Sequence, residues 1–157
     1  MIDSDIHALF AMPVYITKLK REFTSEENKF TNKIKLRCHK NIGNRTSDDT
    51  NIINNKQYSS LRKELNKIVK DYFNKIMCPS NNIKPYITQS WLNYTEANQY
   101  HHTHNHPNSL VSGILYINAD KDNDRVKFHS NKYSMIDIET EKFNAFNSKS
   151  WWFPVET

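Results

Sequence analysis

Cysteine is scarce in this sequence, where only Cys38 and Cys78 occur among 157 residues. Their spacing fits neither a metal-binding pair nor a disulfide framework, so we expect free thiols in a reducing cytosol. No apolar run approaches the ~20 residues that a membrane-spanning helix needs. The N-terminus lacks the charged-then-apolar pattern of a secretory signal peptide, and internal repeats and low-complexity tracts are absent. The sequence therefore predicts a cytoplasmic protein without a membrane partner.

The chain is polar, with a mean hydropathy of −0.81, yet 12% of its residues are aromatic, which argues against disorder. Its 157 residues predict a single domain. The net charge of +5 permits contact with nucleic acid or another anion. Because Lys and Arg are spread along the chain, a solvated mixed surface is the preferred interpretation, and nucleic acid is only weakly supported as a partner.

Two helices are predicted in the first half. Thr24 and Ser25, followed by Glu26 and Glu27, are typical of a helix start, with acidic side chains at the positive end of the dipole; this helix extends to about Cys38. Residues 39–56 are rich in Asn, Ser, Thr and Asp and predict a loop. Apolar residues recur at helical spacing over 58–77, and we expect that stripe to pack on the sheet that contains Trp91.

Beyond residue 84 the apolar pattern changes to a period of two, which favours strands. Residues 110–118 form a near-continuous apolar run, as in a buried strand. The predicted strands are 86–94, 110–118, 125–129, 133–138 and 150–155. Helices followed by many short strands predict an α+β fold, with helical support over 24–78 and a β-rich core over 84–157.

Histidine is concentrated in one stretch, residues 100–107, which contains His101, His102, His104 and His106. In an extended backbone, His102, His104 and His106 lie on one face and His101 on the other. Burying three imidazoles requires a partner for each ring nitrogen, and iron, zinc, copper or nickel provides one. The alternative is a surface run of histidines; an expression tag is disfavoured, because the run is interrupted and internal.

Three motifs in order around this stretch resemble Fe(II)- and 2-oxoglutarate-dependent oxygenases of the prolyl-hydroxylase-like type, common in bacteria and their phages. The motifs are a Trp-x-Asn strand at 91–93, a His-x-His-Pro segment at 104–107 and a Ser-Gly-aliphatic-x-Tyr strand at 112–116. The resemblance is tight over 90–118 and looser elsewhere. It implies a double-stranded β-helix (jelly roll) with helices packed on one sheet, and for a phage-encoded member it implies the host cytoplasm.

The resemblance also implies Fe(II) and 2-oxoglutarate as cofactors, with an unknown substrate that is hydroxylated as 2-oxoglutarate is decarboxylated to succinate. His104 fits the first metal ligand, and His106 stands where such families usually place a carboxylate, with His102 as the competing ligand. His101 is expected to pack or to form a hydrogen bond. Tyr116 matches a tyrosine that contacts 2-oxoglutarate in relatives, although it could be a core residue; Asn93 lines the same cavity or caps a strand end.

One departure from the family concerns the last residues. After a segment such as 152–157, the family continues with a Gly-Asp turn, a further strand, a distal His and an Arg that binds the far carboxylate of 2-oxoglutarate. None of these lies in this chain, so we expect a C-terminally truncated member or a fragment of a longer reading frame. The alternative function is a non-catalytic metal-binding or virion-associated jelly roll.

Overall fold

A computed structural model describes residues 5, 7, 11–130, 141–142, 144 and 147–157. These residues divide into two compact units, one of residues 12–105 and the other of residues 1–11 with 106–157. The described part has two α-helices and two small antiparallel sheets, which confirms the α+β class. No described helix combines the length and apolarity needed to cross a membrane. The single-domain organisation stays a prediction.

Helix α1 spans Ser25–Arg37, close to its predicted bounds. Thr24 is its N-cap: the Thr24 hydroxyl accepts a hydrogen bond from the Glu27 N–H, and the Glu27 carboxylate accepts one from the Thr24 N–H. This reciprocal pair satisfies two amide groups that a helix start otherwise leaves without partners. The acidic first turn that predicted the helix therefore acts through a specific cap as well as through the dipole.

Helix α2 spans Ser59–Tyr72 and continues as a π-helical turn over Phe73–Met77. Leu61 and Phe73 are buried, and the apolar residues between them are half-buried. The helix contacts the 3₁₀ turns Ile52–Asn54 and Lys56–Tyr58. Trp91 lies outside the described strands, so the expectation that the stripe packs on a sheet containing Trp91 is wrong. The described contacts of α2 are with the 3₁₀ turns that precede it along the chain.

Residues 39–56 are ordered rather than a plain loop. They form β1 (His39–Lys40) and β2 (Arg45–Thr46), and β2 pairs antiparallel with both β1 and β3 (Asn93–Tyr94). The pairing continues outside the strands, because the Ser47 N–H donates to the Leu92 carbonyl over 2.9 Å. Of the strand predicted over 86–94, only Asn93–Tyr94 is strand. Its partner β2 ends at Thr46, and the chain after it continues into the 3₁₀ turns.

The other unit contains β4 (Arg125–His129) and β5 (Ser150–Pro154), which pair antiparallel. Both agree with the predicted strands. The buried strand predicted over 110–118 is wrong: these residues form no strand with any described neighbour, and Leu110 and Ile114 are exposed. An apolar run becomes a strand only where another strand completes its hydrogen bonds. The strand predicted over 133–138 falls outside the described residues.

Candidate metal centre

The histidine stretch is irregular rather than extended, because residues 101–106 form no strand. The rings of His101, His102 and His104 cluster together, with centroid separations of 4.9, 4.7 and 4.9 Å. The predicted alternation is therefore wrong for His101, which joins His102 and His104 instead of lying opposite them. Strict alternation needs a regular strand, and here the backbone bends.

The three side chains form the one group in the described part of the chain with metal-binding spacing. One nitrogen from each ring lies within 4.8 Å of the other two. Imidazole nitrogens bind zinc at about 2.0–2.1 Å, so two ligands of one ion lie at most about 4.2 Å apart. The cluster fits a divalent transition metal that prefers nitrogen ligands.

The burial of His102 fits a role as a metal ligand. Its Nδ1 atom is buried and has no hydrogen-bond partner in the described structure. A buried polar atom left in this state costs about 1–3 kcal/mol. Coordination of a metal ion would satisfy this nitrogen, as the sequence led us to expect of a buried imidazole in this stretch.

His104 is held in one orientation by its own backbone. Its Nδ1 lies 2.8 Å from the His102 carbonyl oxygen. A carbonyl can only accept, so Nδ1 carries the proton and Nε2 carries the lone pair. A backbone partner of this kind is the usual support of a metal-binding histidine, because it fixes the tautomer and the ring direction.

His101 forms a hydrogen bond, as predicted. Its Nδ1 lies 2.7 Å from Nδ2 of Asn44, a side chain that is only 3% exposed. With the amide donating, Nδ1 of His101 accepts and the ring proton lies on Nε2. If the Asn44 amide turned by 180°, its oxygen would accept from Nδ1–H and Nε2 would become a ligand atom. The orientation of the Asn44 amide therefore determines which tautomer of His101 this hydrogen bond favours.

A tight turn holds the start of the histidine stretch in place. Gly43 has a φ of +80°, and a Cβ built on it would lie 2.3 Å from the Tyr100 carbonyl oxygen. The Tyr100 N–H in turn donates to the Gly43 carbonyl over 3.1 Å. From the sequence, Gly43 falls within the loop predicted over 39–56. The pattern around Gly43 and Asn44 signals a turn, but not the segment that the turn contacts.

Gly43→Ala should therefore disturb the candidate site. An L-residue at positive φ costs about 1–2 kcal/mol, and relief of the Cβ contact requires the 43–44 turn to move away from Tyr100. We expect a loss of roughly 2 kcal/mol or more in the free energy of unfolding, measured by urea denaturation. Gly113→Ala is the matched control, because nothing lies within 4 Å of a Cβ there. Equal stability of the two variants would contradict the assigned contact.

The other predicted site residues are distributed over both units. Asn93 is exposed in β3, opposite Thr46 in the strand pairing. His106 and Tyr116 are half-buried in the unit of residues 106–157. Burial, and secondarily the charge of Asp124, raises the pKa of the Tyr116 hydroxyl. The roles predicted for Asn93, His106 and Tyr116 stay predictions.

Part of the chain matches a known protein family. Residues 89–154 match the sequence model of a family described as "Putative 2OG-Fe(II) oxygenase". The matched range contains the whole histidine stretch together with Asn93 and Tyr116. It confirms the resemblance that the three ordered motifs carried. No curated protein and no solved structure matches the chain.

Proposed function

From the match of residues 89–154 to the Fe(II)- and 2-oxoglutarate-dependent oxygenase family, we propose that this chain carries the metal-binding core of such a dioxygenase. The observation that supports it most is the buried, unpartnered Nδ1 of His102, within a three-histidine cluster inside the matched range. When bound, iron and 2-oxoglutarate supply the activation of oxygen, with succinate as the co-product. The substrate that receives the oxygen is not specified by these residues.

The proposed ligands are Nδ1 of His102 and Nε2 of His104. His101 joins them through Nε2 once the Asn44 amide presents its oxygen, while His106 remains a proposed ligand on sequence grounds. These residues would bind the metal ion and fix its position. Only a neutral imidazole can coordinate a metal, so acid should release the ion. The His102 carbonyl and Asn44 fix the ring directions, which is the part of the site that the folded chain already provides.

The finer features implied by the family belong to the same proposal. We infer that Tyr116 and Asn93 contact 2-oxoglutarate and that the fold is a jelly roll with helical support. The free thiols of Cys38 and Cys78 support a cytoplasmic location, since reducing compartments maintain thiols.

Succinate formation tests the proposal. The full-length protein, loaded anaerobically with Fe(II) and given 2-oxoglutarate and air, should produce succinate by uncoupled turnover, measured by mass spectrometry. His104→Ala should abolish this, whereas His39→Ala should retain it, because His39 pairs with Asp48 outside the cluster. Absence of succinate from full-length protein that holds its iron would reject the oxygenase proposal.

The donor set favours one alternative, a metal-binding protein without oxygenase chemistry. Oxygenases of this type hold iron with two histidines and one carboxylate, and the described cluster contains three histidines and no carboxylate. Three histidines with an open position are also a zinc arrangement. Tight zinc binding at the cluster, with no affinity for 2-oxoglutarate, would establish this alternative in place of the first.

A further inference from the structure

The positive charge of this protein is concentrated in one unit. Residues 12–105 contain sixteen Lys and Arg but eight Asp and Glu, a formal charge of +8, whereas the remaining residues carry −3. The whole-chain value of +5 hides this difference. Such asymmetry between the parts of a chain is typical of contact with a polyanion.

On α2, the acidic side chains are already neutralised locally. Glu64 pairs with Lys67 over 2.7 Å, and Asp71 pairs with Lys75 over 2.8 Å. Arg62, Lys63 and Lys70 are exposed and form no ion pair with a described carboxylate. Their spacing along the helix leaves a basic surface that no acidic side chain of α2 offsets.

A groove of about 580 Å³ runs along this part of α2. It is lined by Asn54, Arg62, Asn66, Tyr86, Ile87 and Thr88. No acidic residue lines it. Tyr86 is 77% exposed, which is high for an aromatic ring, and Arg62 donates to the Asn54 side-chain oxygen over 3.3 Å.

We propose that this groove binds single-stranded nucleic acid. Arg62, supported by Lys63 and Lys70, contacts phosphates. Tyr86 stacks on a base, and the amides of Asn54 and Asn66 bond to base edges. Positive charge beside an exposed aromatic ring is the arrangement that binds single strands, and here Arg62 lines the groove while Lys63 and Lys70 lie on the same helix. Unpaired bases are needed because stacking and edge contacts require them to be unstacked. These residues are separate from the histidine cluster, so the inference does not depend on the oxygenase proposal.

Fluorescence anisotropy with a labelled oligothymidine of about 15 nucleotides, in buffer of about 50 mM salt, tests it on the full chain. The double variant Arg62→Glu/Lys63→Glu should bind about 10-fold more weakly or worse. Lys29→Glu/Lys33→Glu, an equal change of charge on exposed positions of α1, should stay within about 3-fold. Tyr86→Ala should lose about 5-fold or more while keeping the salt dependence, since stacking is not screened.

Several results would overturn the proposal. Equal losses in the two charge variants would assign binding to net charge rather than to the groove. If duplex DNA or poly-glutamate bound as tightly as the single strand, unpaired bases would have no role in binding. Full affinity in Tyr86→Ala would mean the same. No binding by the wild-type chain would end the idea outright. Circular dichroism melts of each variant show that any loss is not unfolding.

Discussion

Glu27→Gln should lower the free energy of unfolding by about 2–3 kcal/mol, because the buried carboxylate loses its charge-assisted hydrogen bonds to the partly exposed Arg21 guanidinium. The Glu27 carboxylate is 1% exposed. It accepts two hydrogen bonds from the Arg21 guanidinium, at 2.6 and 2.7 Å. It also accepts the Thr24 N–H at 2.8 Å and the Leu61 N–H at 3.1 Å.

The last of these contacts explains why Glu27 matters beyond its own helix. The N-cap residue of α2, Tyr58, provides no side-chain cap. The Leu61 N–H belongs to the first turn of α2, so Glu27 caps α2 as well as closing the capping box of α1. A single carboxylate therefore joins the starts of both helices, and its loss should weaken both.

Acid should have the same effect as the substitution. The Arg21 guanidinium, and then the Thr24 N–H, lower the pKa of Glu27 from 4.5 to about 2 against the opposing effect of burial. A depressed folded-state pKa stabilises the protein above the unfolded pKa, and this contribution is lost as pH falls from about 4.5 towards 2. It amounts to roughly 3 kcal/mol at neutral pH.

Urea denaturation of the variant across this pH range measures both effects. Glu27→Gln should be less stable at pH 7 and should show a flatter dependence on pH than the wild type below about 4.5. Glu26→Gln, an exposed neighbour in the same helical turn, is the matched control and should change stability by less than about 0.5 kcal/mol. Indistinguishable stabilities for the two variants would show that the Glu27 contacts do not stabilise the fold.

His102→Ala should reduce metal affinity by about 100-fold or more, since even supporting residues outside the ligand set are worth 10–100-fold. The same substitution should leave the stability of the metal-free protein within about 1 kcal/mol of the wild type, because it removes a buried nitrogen that has no partner. Loss of affinity without loss of stability distinguishes a ligand from a packing residue.

Isothermal titration with Co(II), an oxygen-stable substitute for Fe(II), together with thermal denaturation, makes this comparison. His39→Ala is the control, because it removes a histidine of the same unit that pairs with Asp48. Unchanged Co(II) affinity in His102→Ala would move the site away from this residue. A large loss of stability in the metal-free variant would instead make His102 a packing residue.

The sequence predicted the features that depend on neighbouring residues. The start of α1 at Thr24 and Ser25, the extent of α2, and the strands Arg125–His129 and Ser150–Pro154 all follow from local caps and apolar periods. The histidine stretch also stood out as a candidate metal-binding segment, because three imidazoles in five residues have no ordinary role in a core, and three of its histidines do cluster.

Contacts between distant segments account for what the sequence missed. An apolar run does not specify its strand partner, so residues 110–118 looked like a strand without being one. Period-two reasoning assumes an extended backbone, whereas residues 101–106 form no strand and the rings of His101 and His102 lie together. The hydrogen bond between Asn44 and His101, and the one by which Glu27 caps α2 at Leu61, likewise join residues more than thirty positions apart.

The most direct test of the metal centre is a long-range ¹H–¹⁵N spectrum of the histidine rings with and without one equivalent of Zn(II). Our account predicts that coordination shifts appear at Nδ1 of His102 and Nε2 of His104, while Nδ1 of His104 keeps its proton toward the His102 carbonyl. Shifts confined to His104 and His106, with His102 unchanged, would contradict it and restore the ligand pair that the sequence alone favoured.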